Sequence, residues 1–271
     1  MRRARSAAAP VEPWSRQRLV SVGAALLAAV LVLVGGLAYG VLRLLRPGPD
    51  RPGQTVVAGP PPAGLSREEI AAAPMASIAP AQGRPGARMA TTRPASMLVP
   101  EPTRDGPAGV ATGFPHTPAG AVGQLGALLP AVLERMDIEH TAAVYAAWSA
   151  PDAPPVEAWP VLASVRAFLE SARLPRLEPG HAVQATPVGA QIKGSDGPNW
   201  TVACVLLTVR ARVKAEARIS YGNCERMVWL GRERRWVIGP GAFPARAPHT
   251  WPGSEAMLTA GWRTWEEELP R

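Results

Sequence analysis

Residues 199–230 read NWTVACVLLTVRARVKAEARISYGNCERMVWL, and this stretch predicts a β-hairpin. Its first half alternates between two faces, as a strand does because successive side chains point to opposite sides of a sheet. One face carries Val205, Leu207, Val209 and Ala211, and the other carries Leu206, Thr208, Arg210 and Arg212. The second half is rich in β-forming residues. A turn near Lys214 then pairs Arg212 with Glu216.

The two cysteines of the chain, Cys204 and Cys224, fall directly opposite each other in this register. If they form a non-hydrogen-bonded pair, they are close enough for a disulfide, which we predict. A bridge that closes a loop of about 20 residues stabilises a fold by roughly 3 kcal/mol in the chain-entropy model. The face that carries the cysteines is mixed in polarity, so we expect the bridge on the outer surface of the sheet. The alternative is a pair of small buried thiols.

The residues before the hairpin predict three helices. Thr117 and Pro118 are typical of an N-cap and a first helical position, and apolar residues then recur at helical spacing. Pro130 is expected to kink or divide this helix. Asp137 is expected to cap a second helix, and the third covers about residues 157–172.

Further strands are predicted around the hairpin. Residues 181–193 and 235–239 have strand composition, and Pro187 indicates an edge position or a bulge. Helices followed by a meandering sheet indicate an α+β domain, with three helices packed on a curved antiparallel sheet. We assign this domain to residues 113–250. A C-terminal tail or helix follows at 251–271.

Residues 19–42 form an uncharged apolar run, LVSVGAALLAAVLVLVGGLAYGVL. A membrane-spanning helix needs roughly 20 such residues, and the run is longer than the apolar core of a secretory signal. It predicts one transmembrane helix, with a cleaved signal as the alternative. Five arginines precede the run and three follow it closely, which favours a cytoplasmic tail at 1–18. We therefore expect a single-pass protein of the cell membrane whose C-terminal domain lies outside the cytoplasm.

Residues 43–112 contain many prolines and few large apolar side chains. Such a chain buries too little apolar surface to offset the entropy of ordering it, so we predict a disordered Pro/Gly/Ala-rich linker. Ser66 and Glu69 have the spacing of a capping box. They predict a short helix that docks on another part of the protein, with a fraying turn as the alternative.

The sequence gives little sign of catalytic chemistry. The net charge is +8, but the arginines are scattered, so we expect no direct nucleic-acid partner. The histidines His116, His140, His181 and His249 lie in separate segments, and no nucleotide, hydrolase or metalloprotease motif occurs. Two cysteines without histidine neighbours make a poor metal site. We therefore predict no catalytic residue, no metal and no cofactor.

Two sets of residues are candidates for an interaction surface. Arg210 and Arg218 fall opposite each other in the hairpin, where like charges repel and an acidic partner would relieve them. The alternative is a splayed, solvated pair. Trp251, Trp262 and Trp265 follow a Pro-rich stretch, and they either pack back over the sheet or contact another chain.

Four short stretches carry a resemblance to a known family: GFPHTPAGAV at 113–122, IKG at 192–194, CERMVW at 224–229 and WVIGPG at 236–241. They resemble a family of actinobacterial membrane proteins associated with conjugative-element gene clusters. The architecture is similar to that of the bitopic scaffold subunits of type IV secretion machines. This resemblance implies a cystatin-like (nuclear-transport-factor-like) cone. The partners that we expect are other subunits of a transfer complex, membrane lipid and, in a homo-oligomer, a second copy.

Three classes of function fit these features. An assembly subunit of a conjugative DNA-transfer or secretion channel fits the anchor, the tether and the missing catalytic residues. A membrane-anchored module that binds a cell-wall or small ligand in the cone is the second, and an enzyme that uses an Asp/His pair in that cavity is the third. A cone that is empty or filled by tryptophan favours the assembly subunit, whereas a polar open pocket favours the other two.

Overall fold

The computed structural model describes residues 64–268 of the 271-residue chain. The predicted cytoplasmic tail, the predicted transmembrane helix at 19–42 and the first part of the predicted linker lie outside the described residues. Between Gly64 and Glu268, no helix is both long enough and apolar enough to cross a membrane. The described region has the predicted α+β class, with a curled and mostly antiparallel sheet.

The three helices and four strands predicted between residues 117 and 239 occur in the predicted order, and further elements precede and follow them. The helices are α1 (Arg67–Ala72), α2 (Pro118–Leu133), α3 (Ile138–Trp148), α4 (Pro160–Ala172) and α5 (Glu255–Thr259). The strands are β1 (Ser96–Val99), β2 (Arg104–Asp105), β3 (Ala111–Thr112), β4 (Ala182–Ser195), β5 (Trp200–Arg212), β6 (Glu216–Leu230), β7 (Arg235–Ile238) and β8 (Arg263–Glu267). Short 3₁₀ turns lie at Pro80–Gly83, Pro107–Gly109 and Val156–Ala158.

The main sheet has the strand order β1-β8-β4-β5-β6-β7, and β2 and β3 form a separate small ladder. β1 and β8 are parallel, and the other neighbouring pairs are antiparallel. The β5–β6 hairpin has the predicted register, with Arg212 opposite Glu216 and Cys204 opposite Cys224. The two cysteines form a disulfide, and their Cα atoms are 4.0 Å apart. The predicted bridge is therefore confirmed.

Strand β4 lies in the interior of the sheet, between β8 and β5, although it contains Pro187. Its register with β5 shifts between Pro187 and Gly189, and again between Ile192 and Gly194. A proline cannot donate to the ladder, and a bulge at its position removes the need for that hydrogen bond. Of the two alternatives for Pro187, the structure has the bulge.

Side-chain caps begin α2 and α3 where the sequence predicts them. The Thr117 hydroxyl accepts a hydrogen bond from the N–H of Gly120 at 3.1 Å, and the Asp137 carboxylate accepts one from the N–H of His140 at 2.6 Å. A Cβ at Gly120 would clash with the carbonyl oxygen of Pro115. The tight entry into α2 therefore requires glycine at this position.

Pro130 lies within α2 and does not divide it. The proline removes one hydrogen bond from the helix, because it has no N–H to donate. It stands one turn from the end of α2, where the fully buried Leu128 and Leu129 anchor the helix in the core. The expected division is absent because this packing outweighs the loss of one hydrogen bond.

One face of the sheet packs against α2, α3 and α4 and forms the larger hydrophobic core. Strand β5 contributes its predicted apolar face to this core: Val205, Leu207 and Val209 are buried in it, and Ala211 packs against it. Trp148, Trp159 and Trp236 are fully buried here. Large side chains thus fill the space between the helices and the sheet.

The opposite face of the sheet is covered as well, by a second hydrophobic core. Residues from α1, the far face of the hairpin and the C-terminal segment form it: Ile70, Ala71, Trp200, Val202, Cys204, Leu206, Cys224, Ala247, Met257, Ala260 and Trp262. Cys204 is fully buried and Cys224 is 6% exposed. The expectation that the disulfide lies on the outer surface is wrong, because segments distant in sequence cover that face.

The prediction of a disordered linker up to residue 112 is wrong for the part that the structure describes. α1 begins at the predicted capping box and docks on the second face of the sheet. Its Arg67 pairs with Asp196 at 2.6 Å, and its Glu68 pairs with Arg226 at 3.0 Å. The segment is ordered because the domain supplies both an apolar surface and charged partners, which the composition of the segment itself does not reveal.

The two ends of the described region meet in the sheet. β1, from the predicted linker, pairs in parallel with β8, from the predicted C-terminal tail or helix at 251–271. The helix within that tail is limited to α5, and the following residues form β8. Val99 in β1 is almost fully buried in the larger core. The folded region therefore extends beyond the predicted limits of 113–250 on both sides.

We expect Ser66→Ala to weaken the docking of α1 by about 1 kcal/mol. The Ser66 hydroxyl accepts a hydrogen bond from the N–H of Glu69 at 3.2 Å, and the Glu69 carboxylate accepts one from the N–H of Ser66 at 2.8 Å. Hydrogen exchange of the α1 amides should become about fivefold faster. Ser77→Ala, at an exposed serine outside the cap, is the control. Equal exchange in both variants would contradict the role of the cap.

Candidate interaction groove at the sheet edge

Strand β6 has an edge that β7 covers only in part. β7 pairs with residues 227–230, so the rest of β6 has β5 on one side and, among residues 64–268, no strand on the other. On this open side, the Gly222 N–H donates to Nδ1 of His249 at 2.9 Å, and the Arg226 carbonyl accepts from the N–H of Gly239 at 2.7 Å. Backbone groups alternate in direction along an antiparallel strand, so those of Ser220 and Cys224 face the same open side.

The backbone at Ser220 and Cys224 is left without partners on this edge. Within residues 64–268, no hydrogen bond from a loop, a strand or a side chain reaches these edge-facing groups. Ser220 is 4% exposed, and its hydroxyl has no partner in the described region either. A buried hydroxyl without a partner costs about 1–3 kcal/mol. The edge can therefore gain stability from an additional ligand.

Two cavities lie along this edge, and consecutive β6 residues line both. The first, of about 300 Å³, is bounded by α4, by residues 221–224 and by the segment 243–249. The second, of about 320 Å³, is bounded by residues 219–221, by part of the segment 78–84 and by His249. Tyr221 and His249 line both cavities, with ring centroids 5.4 Å apart. We call the two cavities and the intervening strand edge the edge groove.

A few polar side chains are placed in the edge groove. The Tyr221 hydroxyl lies 3.1 Å from the hydroxyl of Ser164, which itself donates to a backbone carbonyl of α4. The Tyr221 hydroxyl is therefore the donor of that pair. Desolvation and the nearby Arg246 lower the pKa of His249, which favours the neutral ring. A neutral ring is required for Nδ1 to accept the hydrogen bond from Gly222.

The charge around the edge groove is positive. Arg246 lines the first cavity and Arg84 lines the second, and both are exposed. Among the described residues, those that line the two cavities include no aspartate or glutamate. A ligand with negative charge therefore fits the groove better than one with positive charge.

The predicted arginine pair lies at the hairpin end, and a carboxylate joins its two members. Glu216 accepts from Arg210 at 2.7 Å and from Arg218 at 2.8 Å. These hydrogen bonds lower the pKa of Glu216 to about 2. The repulsion expected between Arg210 and Arg218 is thus relieved inside the hairpin, without an acidic partner.

A buried carboxyl group lies behind the groove, on the side of the larger core. Glu225 is 1% exposed and accepts hydrogen bonds from Trp159 Nε1 at 2.8 Å and from Asn223 Nδ2 at 3.0 Å, both at Oε1. Its Oε2 has no partner within the described residues. Burial raises the pKa of Glu225 to about 7, although both hydrogen bonds oppose the shift.

The three tryptophans predicted as an interaction surface are buried or half-buried in the described region. Trp262 is 2% exposed in the second core, and its Nε1 donates to the carbonyl of Pro248 at 3.2 Å. Trp265 is half-buried and packs against the larger core. Trp251 is half-buried as well. Of the two alternatives, Trp262 and Trp265 follow the one in which the tail packs back on the sheet.

The structure does not bring the four histidines together. His116 stacks on Trp229 with ring centroids 4.4 Å apart, and His140 and His181 bond to nearby backbone groups. Only His249 lies in the edge groove. Among residues 64–268, no group of three or more potential metal ligands occurs.

Three of the four stretches that carry the family resemblance meet in one place. Trp236, of WVIGPG, donates to the carbonyl of Pro115, of GFPHTPAGAV, at 2.9 Å. His116 of the same stretch stacks on Trp229, the last residue of CERMVW. These stretches therefore hold the start of α2 against the ends of β6 and β7, which is a packing role.

The groove residues Arg84, Ser164, Ser220, Tyr221 and Arg246 are absent from the predicted sites. One signal in the sequence points to them: the second half of the hairpin is predicted over 15 residues, and the strand that follows it is far shorter. Such a mismatch leaves part of an edge uncovered. No protein-family model, curated protein or solved structure matches the chain.

Proposed function

We propose that this chain is a membrane-anchored assembly subunit of a conjugative DNA-transfer apparatus, similar in architecture to the scaffold subunits of type IV secretion machines. Residues 19–42 anchor it in the cell membrane, with the N-terminus inside. The described domain lies outside the cytoplasm and docks other subunits. It carries out no catalytic step of its own.

The filled interior is the observation that carries this proposal. Trp148, Trp159 and Trp236 are fully buried between the helices and the sheet, and the second core closes the opposite face. A ligand-binding or catalytic cone needs an open cavity with convergent polar groups instead. The edge groove lies at the surface, where a partner protein can reach it.

The docked position of α1 supports a tether of moderate length. The predicted span ends at residue 42 and α1 begins at Arg67, so 24 residues separate them. A Pro-rich chain of that length reaches roughly 75 Å when extended. This reach is shorter than that of a linker running to residue 112. It suits a domain that docks on neighbouring subunits near the membrane surface.

A membrane-anchored module that binds a small or cell-wall ligand is the second candidate. The two cavities of the edge groove favour it, since about 300 Å³ is the lower end of the size of small-molecule sites. Retention of the full chain on purified cell-wall material, and its loss on substitution of Tyr221, would favour this alternative over the assembly subunit.

Shortening the tether tests the assembly role. Deleting half of residues 43–63 should lower DNA transfer by about tenfold or more, because a linker that cannot span two sites loses the gain of tethering. The melting temperature of the domain should not change, since the deletion precedes α1. A Gly/Ser segment of the original length is the matched control and should keep transfer near the wild-type level.

Two outcomes would contradict the assembly role. The first is transfer that is unaffected by the deletion. The second is loss of transfer when His116, His140, His181 or Asp137 is substituted in a chain that still folds and reaches the membrane, since that result would indicate an enzyme.

A further inference from the structure

We propose that an extended, acidic segment of a partner subunit binds in the edge groove as an additional β-strand beside β6. This inference rests on the proposed assembly function and names the surface and the kind of partner. The segment forms backbone hydrogen bonds at Ser220 and Cys224. Its side chains enter the two cavities in alternation.

The unpaired backbone of β6 is the first argument. The edge-facing groups of Ser220 and Cys224 have no partner within residues 64–268, whereas the same strand is fully paired with β5 on its other side. The Ser220 hydroxyl is buried beside them and is also without a partner. A strand added at a sheet edge supplies donors and acceptors at this spacing.

The shape of the groove is the second argument. In strand addition, the backbone provides affinity, and pockets for alternate side chains provide specificity. The two cavities share Tyr221 and His249, and their walls also carry Ala163, Phe243, Ile78 and Ile219. Small apolar side chains of an extended segment fit such walls.

The imidazole of His249 occupies the middle of the edge. Its Nδ1 accepts a hydrogen bond from the N–H of Gly222, which lies between Ser220 and Cys224. An incoming strand displaces this ring and offers a carbonyl oxygen in its place. In the empty groove, His249 covers part of an edge that would otherwise be open to pairing with other chains.

The charge around the edge groove indicates which kind of segment binds there. Arg246 and Arg84 are exposed at the first and second cavity, and no acidic side chain from residues 64–268 lines either one. Glu216, on the same strand, is already held by Arg210 and Arg218. A segment with acidic residues near both ends therefore complements the groove, and a basic one is repelled.

The test begins with selection of peptides on the full chain in detergent micelles. A displayed library of random peptides of about twelve residues is the probe, and acidic, alternating sequences should be enriched. The affinity of a selected peptide is then measured by fluorescence polarisation. Methylation of its alternate backbone nitrogens should abolish binding if the peptide pairs as a strand.

Two variants of Ser220 distinguish the contribution of its backbone N–H to peptide binding from that of its side chain. Ser220→Pro removes an edge-facing N–H without touching the ladder to β5, because proline is tolerated where its nitrogen faces away from the sheet. It should weaken peptide binding about tenfold or more. Ser220→Ala keeps the N–H and should bind within about threefold of the wild type.

Two further variants test the charge and the displaced ring. The double variant Arg84→Glu/Arg246→Glu should weaken binding of the acidic peptide by about tenfold. It should improve binding of a peptide in which lysines replace the acidic residues. His249→Ala should strengthen binding several-fold, because no ring has to be displaced. Circular dichroism and the melting temperature must match the wild type for each variant that is compared.

The proposal is overturned if no peptide is enriched, if basic peptides are preferred, or if Ser220→Pro binds as tightly as Ser220→Ala. It is also overturned if sedimentation shows that Ser220→Pro dissociates a dimer of the full chain, since the occupant is then a second copy. Peptide binding does not depend on DNA transfer. If the groove binds no peptide but DNA transfer still requires the tether, the groove proposal is wrong and the assembly function is still supported.

Discussion

Replacing Glu225 by glutamine is expected to raise the free energy of unfolding at pH 8 by about 3 kcal/mol. Burial raises the pKa of Glu225 to about 7, so at pH 8 the folded protein holds a charged carboxylate inside the larger core. Glutamine carries no such charge. Its side-chain oxygen can still accept the hydrogen bonds from Trp159 and Asn223.

The stability gained by Glu225→Gln should depend on pH in a defined way. The pKa of Glu225 is about 7 in the folded state, against 4.5 for an unperturbed glutamate. The folded state therefore binds the extra proton between these values, and the stability of the wild type falls as the pH rises through this window. Chemical denaturation of the full chain should give equal stabilities near pH 4.5 and the full difference by pH 8. A difference that stays constant over this range would contradict the assignment.

The variant Glu216→Gln is a matched control, for which we expect the opposite change in the free energy of unfolding. Hydrogen bonds from Arg210 and Arg218 lower the pKa of Glu216 to about 2. A carboxylate whose pKa is lower in the folded state stabilises the protein at pH values above its unfolded-state pKa. This stabilisation is lost as the pH falls toward the folded-state pKa. Glu216→Gln should therefore be less stable than the wild type at neutral pH, and the difference should vanish in acid. Because Glu216 is exposed, the effect should be smaller than that at Glu225.

The double variant Cys204→Ala/Cys224→Ala is expected to lose about 3 kcal/mol of stability. The bridge closes a loop between residues 20 positions apart, and its loss returns conformational entropy to the unfolded chain. Both sulfur atoms also lie in the second core, where the Cys224 sulfur contacts that of Met75 at 3.5 Å. Their removal leaves space in that core, which adds to the cost.

A second opposed pair in the same hairpin provides the control. Thr208 and Ser220 face each other in the β5–β6 register without a covalent bond. The variant Thr208→Ala/Ser220→Ala should change the free energy of unfolding by about 1 kcal/mol or less. Denaturant unfolding of the full chain measures both variants. Similar losses in the two would show that the bridge contributes no more than an ordinary cross-strand pair.

Local patterns in the sequence predicted the elements that local interactions determine. Thr117 and Asp137 begin α2 and α3 as expected, because a cap depends on a side chain and an N–H three residues later. The β5–β6 register was predicted as well, since the position of the turn near Lys214 sets every pair, including Cys204 with Cys224. The bulge at Pro187 follows from the chemistry of one residue.

The candidate site was not predictable in the same way. Ser220 and Tyr221 belong to a strand that was assigned correctly, but their role depends on how far β7 extends beside them. Arg84 and Arg246 reach the groove from segments on either side of it in sequence and flank it only in the fold. Glu225 appears in the sequence as an ordinary strand glutamate, and its raised pKa arises from the helices that bury it.

The sequence by itself thus determined the helices, the hairpin, its disulfide and the fold class, since these depend on spacing and on contacts between near neighbours. Only the tertiary structure decided that α1 docks, that β1 pairs with β8 and that the cysteine face is a second core. The physical reason is that a face is exposed or buried according to what covers it. Ile70 and Trp262, which cover the Cys204 face, lie more than 50 residues from it along the chain.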